Sequence, residues 1–94
     1  MVEGTRLSEL SDEALMLLIQ KQDEPAFATL VDRHLTALHA FARRMLGNTN
    51  DAEDIVQEAF LRVWHRAARW KPGQAKLATW LHRIIHNLCI DLRR

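Results

Sequence analysis

A chain of 94 residues, 48% hydrophobic with three Gly and two Pro, makes one small domain with a thin core, and its composition excludes both a disordered chain and a turn-rich β protein. It has no apolar run of about 18 residues to span a membrane, no secretory-type hydrophobic segment behind Glu3 and Glu9, and only Cys89, which cannot close an internal disulfide and makes a reducing cytoplasm the default. The net charge of +1 hides an asymmetry: residues 1–58 hold 11 acids against 5 Lys/Arg, while residues 59–94 hold 8 Lys/Arg against Asp91 alone.

Residues 1–10 lack a clear period and are expected to be a flexible N-terminus. Ser11 is a credible N-cap, with Asp12 and Glu13 in the first turn. Ala14, Leu15, Leu17, Leu18 and Ile19 then form a short apolar helix to about Lys21. "QDEP" at 22–25 breaks it: Asp23 can cap the next helix, and Pro25 falls where a first-turn proline is tolerated. The second predicted helix runs from about Glu24 to Leu46. Phe27, Leu30, Val31, Leu35, Leu38, Phe41, Ala42, Met45 and Leu46 recur at spacings of three and four, so all are assigned to its buried face. Gly47 is a natural terminator. The third helix is placed from Asn50, with Glu53 as its capping-box partner, to about Arg69. "WKPGQAK", 70–76, must be a loop because Pro72-Gly73 is a turn dipeptide. The last helix is placed from about Leu77 to Leu92. The expected fold is all-α, a small helical bundle of about four helices.

Two helix faces are left over once the core is assigned. At 100° per residue, Ala52, Ile55, Val56, Ala59, Phe60, Val63 and Ala67 share the core side of the third helix. Asp54, Gln57, Glu58, Leu61 and His65 fall opposite. Carboxylates and an amide around an exposed leucine suit docking onto a basic protein surface. A solvated face with one incidental leucine is the plainer alternative. On the fourth helix, Leu77, Leu81, Ile84, Ile85, Leu88 and Leu92 line one side. Trp80, Arg83, Asn87, Ile90 and Arg94 gather on the other, with His86 at the edge and Lys71 and Lys76 in the loop before it. Arginine neutralises phosphate, asparagine offers a base edge both donor and acceptor, and indole stacks on an unpaired base. The plainer alternative folds Trp80 back on Trp70 or Trp64 and leaves the arginines to solubilise.

Catalysis and metal binding find less support. His82 and His86 are spaced i, i+4 as in a helical metal pair, but "HRIIH" lacks the glutamate of the zinc-protease motif, and Cys89 suits a small packing residue better than a third ligand. His34 and His39 do not share a face. No Gly-rich phosphate loop or nucleophile motif is visible, and the acids opening the third helix are explained by its dipole. No cofactor is expected.

"DAEDIVQEAFLRVW", a loop, and then "TWLHRIIHNLCIDLRR" resemble region 2 of a bacterial sigma-70-family RNA polymerase sigma factor, with the small extracytoplasmic-function (ECF) group the nearest match. The likeness covers about residues 11–94. It implies a binding module, not an enzyme. Asp54, Gln57, Glu58 and Leu61 match the region 2.2 positions that bind the clamp-helix coiled coil of the polymerase β′ subunit. The loop and the following face, with Lys71, Lys76, Thr79, Trp80, Arg83, His86, Asn87 and Arg94, match the regions that open and read the promoter −10 element and capture an extruded nontemplate base. In such relatives the loop carries most −10 specificity, which makes "WKPGQAK" the expected reader. An anti-sigma factor is a further expected partner. Leu77 stands where many relatives have an aromatic, so strong unaided duplex melting is not expected. The family's second DNA-binding domain, which reads the −35 element, is absent from this chain, so alone it should not direct initiation efficiently. The rival readings are a helical protein-interaction module without DNA-reading activity and a His/metal helical enzyme.

Overall fold

Ser11 starts the first helix as its spacing predicts: the hydroxyl accepts from the Ala14 amide at 3.1 Å, and α1 runs Asp12–Ile19. The computed structural model describes residues 6–73 and 76–93, and every regular element among them is helical. Beyond α1 these are α2 (Glu24–Leu46), α3 (Thr49–Arg66) and α4 (Leu77–Arg93), with 3-10 turns at Leu7–Glu9 and Ala67–Arg69.

The turn between α1 and α2 is tight. The Asp23 amide donates to the Leu18 carbonyl and the Gln22 amide to that of Ile19, a Schellman arrangement that needs a left-handed residue at Gln22, with φ 67°. A side chain there is unusual, since glycine usually fills this position. Asp23 then caps α2 by accepting from the Ala26 amide at 2.9 Å. Asp12 ties α1 to the middle of α2, lying 2.9 Å from both Arg33 and His34 Nε2.

At the other end of α2, Gly47 adopts φ 70° and donates to the Arg43 carbonyl. With nothing within 4 Å of where its Cβ would sit, only the backbone conformation favours glycine here. Two residues suffice to reverse the chain, so α2 and α3 form an antiparallel hairpin. The cap of α3 differs from expectation. Asn48, not Asn50, is the N-cap, its side chain accepting from the Asp51 amide at 3.1 Å, and Glu53 takes no part. Asparagine at 48 and at 50 are equally good caps by residue type, and the two-residue turn selects the first.

The core is drawn from all four helices, with Leu15, Met16, Ile19, Leu30, Leu38, Val56, Val63, Leu81 and Ile85 wholly enclosed. α2 packs on α1, α3 and α4, and α3 packs on α4. Residues 7–10 also join in: Leu7 and Leu10 lie against the core, and Arg33 donates to the Ser8 carbonyl. The segment expected to be flexible therefore carries a docked turn at its C-terminal end, while residues 1–5 lie outside the described residues. Two assignments to the core need correction. Leu92 is 49% exposed at the last turn of α4, and Leu35 is 44% exposed because it borders an open groove between α2 and α3.

Candidate interaction surfaces

Leu35 faces a groove. Along α2, Phe27, Val31, Leu35 and His39 succeed one another at intervals of four, which places them in one row. Glu53, Gln57 and Leu61 form the matching row on α3, and Thr36, Val56 and Phe60 complete the lining. The open volume between the rows is about 780 Å3. Phe27 fixes one end, edge-on to Phe60 at 6.5 Å and tilted on Trp64 at 5.1 Å between ring centroids. Leu61 is 51% exposed, so the two half-bare leucines stand at the same opening. The Nε2 of His39, in the groove wall, is buried and has no hydrogen-bond partner among the described residues.

The acidic stripe borders this groove. Asp54, Gln57 and Glu58 are all exposed, as is His65 further along the helix. Glu58 reaches Arg62 one turn on at 3.4 Å, an exposed pair whose contribution to stability is small. Asp54 has no ion-pair partner among the described residues. The α3 residues expected to be core (Ala52, Ile55, Val56, Ala59, Phe60, Val63 and Ala67) are all buried, so the two faces of this helix separate as expected. What periodicity missed is the α2 side of the groove. Leu35 carries the same spacing signal as core leucines, and only the relative placement of two helices distinguishes a wall from a core.

The second surface lies on α4 and its approach. Lys71, Lys76, Thr79, Arg83, His86 and Asn87 are exposed. On α4 Arg83 follows Thr79 by four residues, and His86 and Asn87 follow Arg83 by three and four, so the four expected residues share a face. Arg83 enters no ion pair among the described residues, leaving its guanidinium available. Trp80 is not the fully outward-pointing ring expected: it is half-buried and packed against the core. Arg94, also expected on this face, and Gln74 and Ala75 of the loop lie outside the described residues. Arg66 and Arg69, not singled out from the sequence, are exposed immediately before the loop. The run of basic residues after position 59 was the signal that could have found them.

The root of that loop is held from a distance. The Trp70 side chain is buried at 7% exposure, and its amide closes the 3-10 turn onto the Ala67 carbonyl at 3.1 Å. The side-chain amide of Gln20, at the end of α1, donates to the Ala67 carbonyl at 2.9 Å and to the Trp70 carbonyl at 2.8 Å.

Of the two histidines of α4, His82 is tied into the fold. His82 donates from Nδ1 to the Ala78 carbonyl at 2.8 Å and meets the Phe41 ring at 5.0 Å. No cluster of three metal-ligating side chains occurs among the described residues. Cys89 is fully buried, and that burial raises its thiol above the ordinary 9.0, with Arg93 pulling weakly the other way. No helix among the described residues is long and apolar enough to cross a membrane.

Comparison with known proteins places the chain in a family. The family model for sigma-70 region 2 matches residues 30–94. The ECF RNA polymerase sigma factor SigW of Bacillus subtilis is 42% identical over 73 residues, covering 78% of this chain and 38% of that protein. SigM of Mycobacterium tuberculosis, another ECF sigma factor, is 40% identical over 87 residues, covering 92% of this chain and 44% of its own length. This chain thus spans less than half the length of these two relatives, and both are named as sigma factors rather than enzymes. An engineered region 2 of sigmaE, solved by NMR in complex with GTAAAA, matches with a TM-score of 0.81 at 30% identity, over 98% of this chain and 90% of that one. The agreement of sequence and fold leads to one conclusion: the chain belongs to the sigma-70 region 2 family, with ECF sigma factors among its relatives.

Proposed function

We propose that this domain joins RNA polymerase core to the promoter −10 element. In this reading the α2–α3 groove and its acidic rim seat the clamp-helix coiled coil of the β′ subunit. Leu35 and Leu61 provide the apolar contact, while Asp54, Gln57 and Glu58 steer and orient the partner. Loop 70–76 and the α4 face take the nontemplate strand. Lys71, Lys76 and Arg83 neutralise phosphates, at a cost in affinity as salt rises. The Asn87 amide and the Thr79 hydroxyl are suited to base edges, and the Trp80 ring, held by the core, is a fixed stacking platform. An extruded base must repay a few kcal/mol of unstacking through such contacts. An anti-sigma factor is included as a partner and the cytoplasm as the place of action, because both follow from the same role.

The observation that carries this reading is the likeness, over nearly the whole chain, to a region 2 domain whose complex contains GTAAAA. The test is a pair of titrations on the purified chain: labelled GTAAAA single strand against base-scrambled strands in rising salt, and a β′ clamp-helix fragment. Preference for particular bases together with saturable binding of the fragment is the expected result. Equal affinity for every strand would reduce the domain to a protein-interaction module. Failure to bind the fragment would remove the polymerase half of the proposal.

A further inference from the structure

Gln20 lies some fifty residues from the loop in sequence, yet it touches the loop's base. It is the residue after α1, beside a turn whose left-handed Gln22 holds the chain in one path. A primary amide has two N–H bonds, and here each goes to a different carbonyl, those of Ala67 and Trp70. Those two carbonyls bracket the 3-10 turn that delivers the chain into the loop. The Ala67 carbonyl also accepts from the Trp70 amide, so one side chain braces both ends of the turn. The contact spans 47 to 50 residues of sequence and is partly buried, where hydrogen bonds are less diluted by water. Nothing else among the described side chains bonds to the backbone of residues 67–73.

We propose that Gln20 is a positioning residue for promoter recognition: by bonding the Ala67 and Trp70 carbonyls it fixes where the 71–76 loop leaves the helical body, and thereby which −10 bases the loop selects. The inference rests on the reading that this loop meets DNA. Gln20 itself touches no base.

The experiment compares the wild-type chain with Gln20→Met, which keeps length and flexibility but has no donor, and Gln20→Lys, whose ammonium can serve both carbonyls. Two readouts are taken. Hydrogen exchange at the amides of residues 67–70 reports the brace without DNA. Selection from a single-stranded pool with a randomised six-base window reports base discrimination. For Gln20→Met, exchange at these amides should rise about tenfold or more while core amides of α2 and α3 hold. Discrimination should fall several-fold with less than twofold change in affinity for the unselected pool. Gln20→Lys should restore both. Should Gln20→Met fail to fold, Gln20→Asn, polar but one methylene too short, takes its place.

A merely structural glutamine gives a different result: protection lost evenly across all helices, with base discrimination unchanged, and that overturns the proposal. Wild-type chain without base discrimination would overturn the loop-reading function and the specificity role with it. Local loosening at 67–70 in Gln20→Met would still identify the brace, so the two failures are distinguishable.

Discussion

Leu61→Ala and Leu35→Ala test whether the groove is a docking surface. Leu61 is 51% exposed and Leu35 44%, so about half of each side chain already packs within the domain and about half is free for a partner. Full burial of a leucine is worth about 1.5–3 kcal/mol relative to leaving it in water. The free half therefore offers about 1 kcal/mol in a complex, which is roughly fivefold in Kd. The covered half predicts a similar loss in folding stability, lowering Tm by about 4–8 °C for a domain of this size. A wholly enclosed leucine behaves differently. Leu81→Ala should cost about 2–5 kcal/mol of folding stability.

The assay is fluorescence anisotropy of a labelled β′ clamp-helix fragment, with thermal denaturation of each variant run beside it. Both single variants should remain folded at the assay temperature and bind about fivefold more weakly, and the double variant should lose on the order of twentyfold if the two leucines meet separate partner side chains. A loss in Tm without a loss in affinity would mean that both leucines serve only the fold. Affinities within twofold of wild type for both single variants would refute the groove as the docking surface.

Asp54→Ala with Glu58→Ala should slow association with the same fragment and flatten its salt dependence, leaving Tm within a few degrees, as stopped-flow mixing at two ionic strengths would show. Arg83→Ala should weaken binding to all single strands and reduce the salt slope by about one, whereas Asn87→Ala should change base preference more than overall affinity; equal losses on every strand for both would defeat that division. Cys89 gives a pH prediction. Its thiol is raised in the folded state, so its contribution is fully present below the ordinary 9.0 and is lost as pH rises through the higher folded value. The chain has no tyrosine to titrate nearby. Urea midpoints should therefore fall above about pH 9 in wild type and fall less in Cys89→Ala.

The fold was legible where local chemistry decides it. Ser11, Asp23 and Gly47 announce helix ends through cap preference and left-handed backbone, and the spacing of Ile55, Val56, Ala59, Phe60 and Val63 announces a core face. Properties that depend on where a second helix lies were not legible. Leu35 and Leu38 look equivalent along α2, yet one borders the groove and the other is 1% exposed. Leu92 continues the apolar stripe of α4 yet is 49% exposed, and Trp80, on the outward stripe by spacing, is partly buried against the core. Gln20 is the extreme case. Its partners lie some fifty positions away, and an isolated glutamine at a helix end carries no local signal of them.

Helix α3 reconciles the opposed charges of the two halves of the chain. Its acids, Asp51, Glu53, Asp54 and Glu58, precede its bases, Arg62, His65 and Arg66, and Arg69 and Lys71 continue the positive run into the loop. That order also suits the helix dipole, so fold stability and the division of surfaces favour the same sequence. Separation makes the arrangement useful. Asp54 and Arg66 are twelve residues apart, roughly 18 Å along the axis, whereas charges in water at physiological salt are screened over about 8 Å. A change at the acidic rim should then leave affinity for single-stranded DNA unaltered at such salt and begin to raise it only when salt is lowered about tenfold, where the screening length exceeds that separation. DNA affinity that responds to Asp54→Ala at physiological salt would mean the two surfaces communicate through the helix itself rather than through the solvent field.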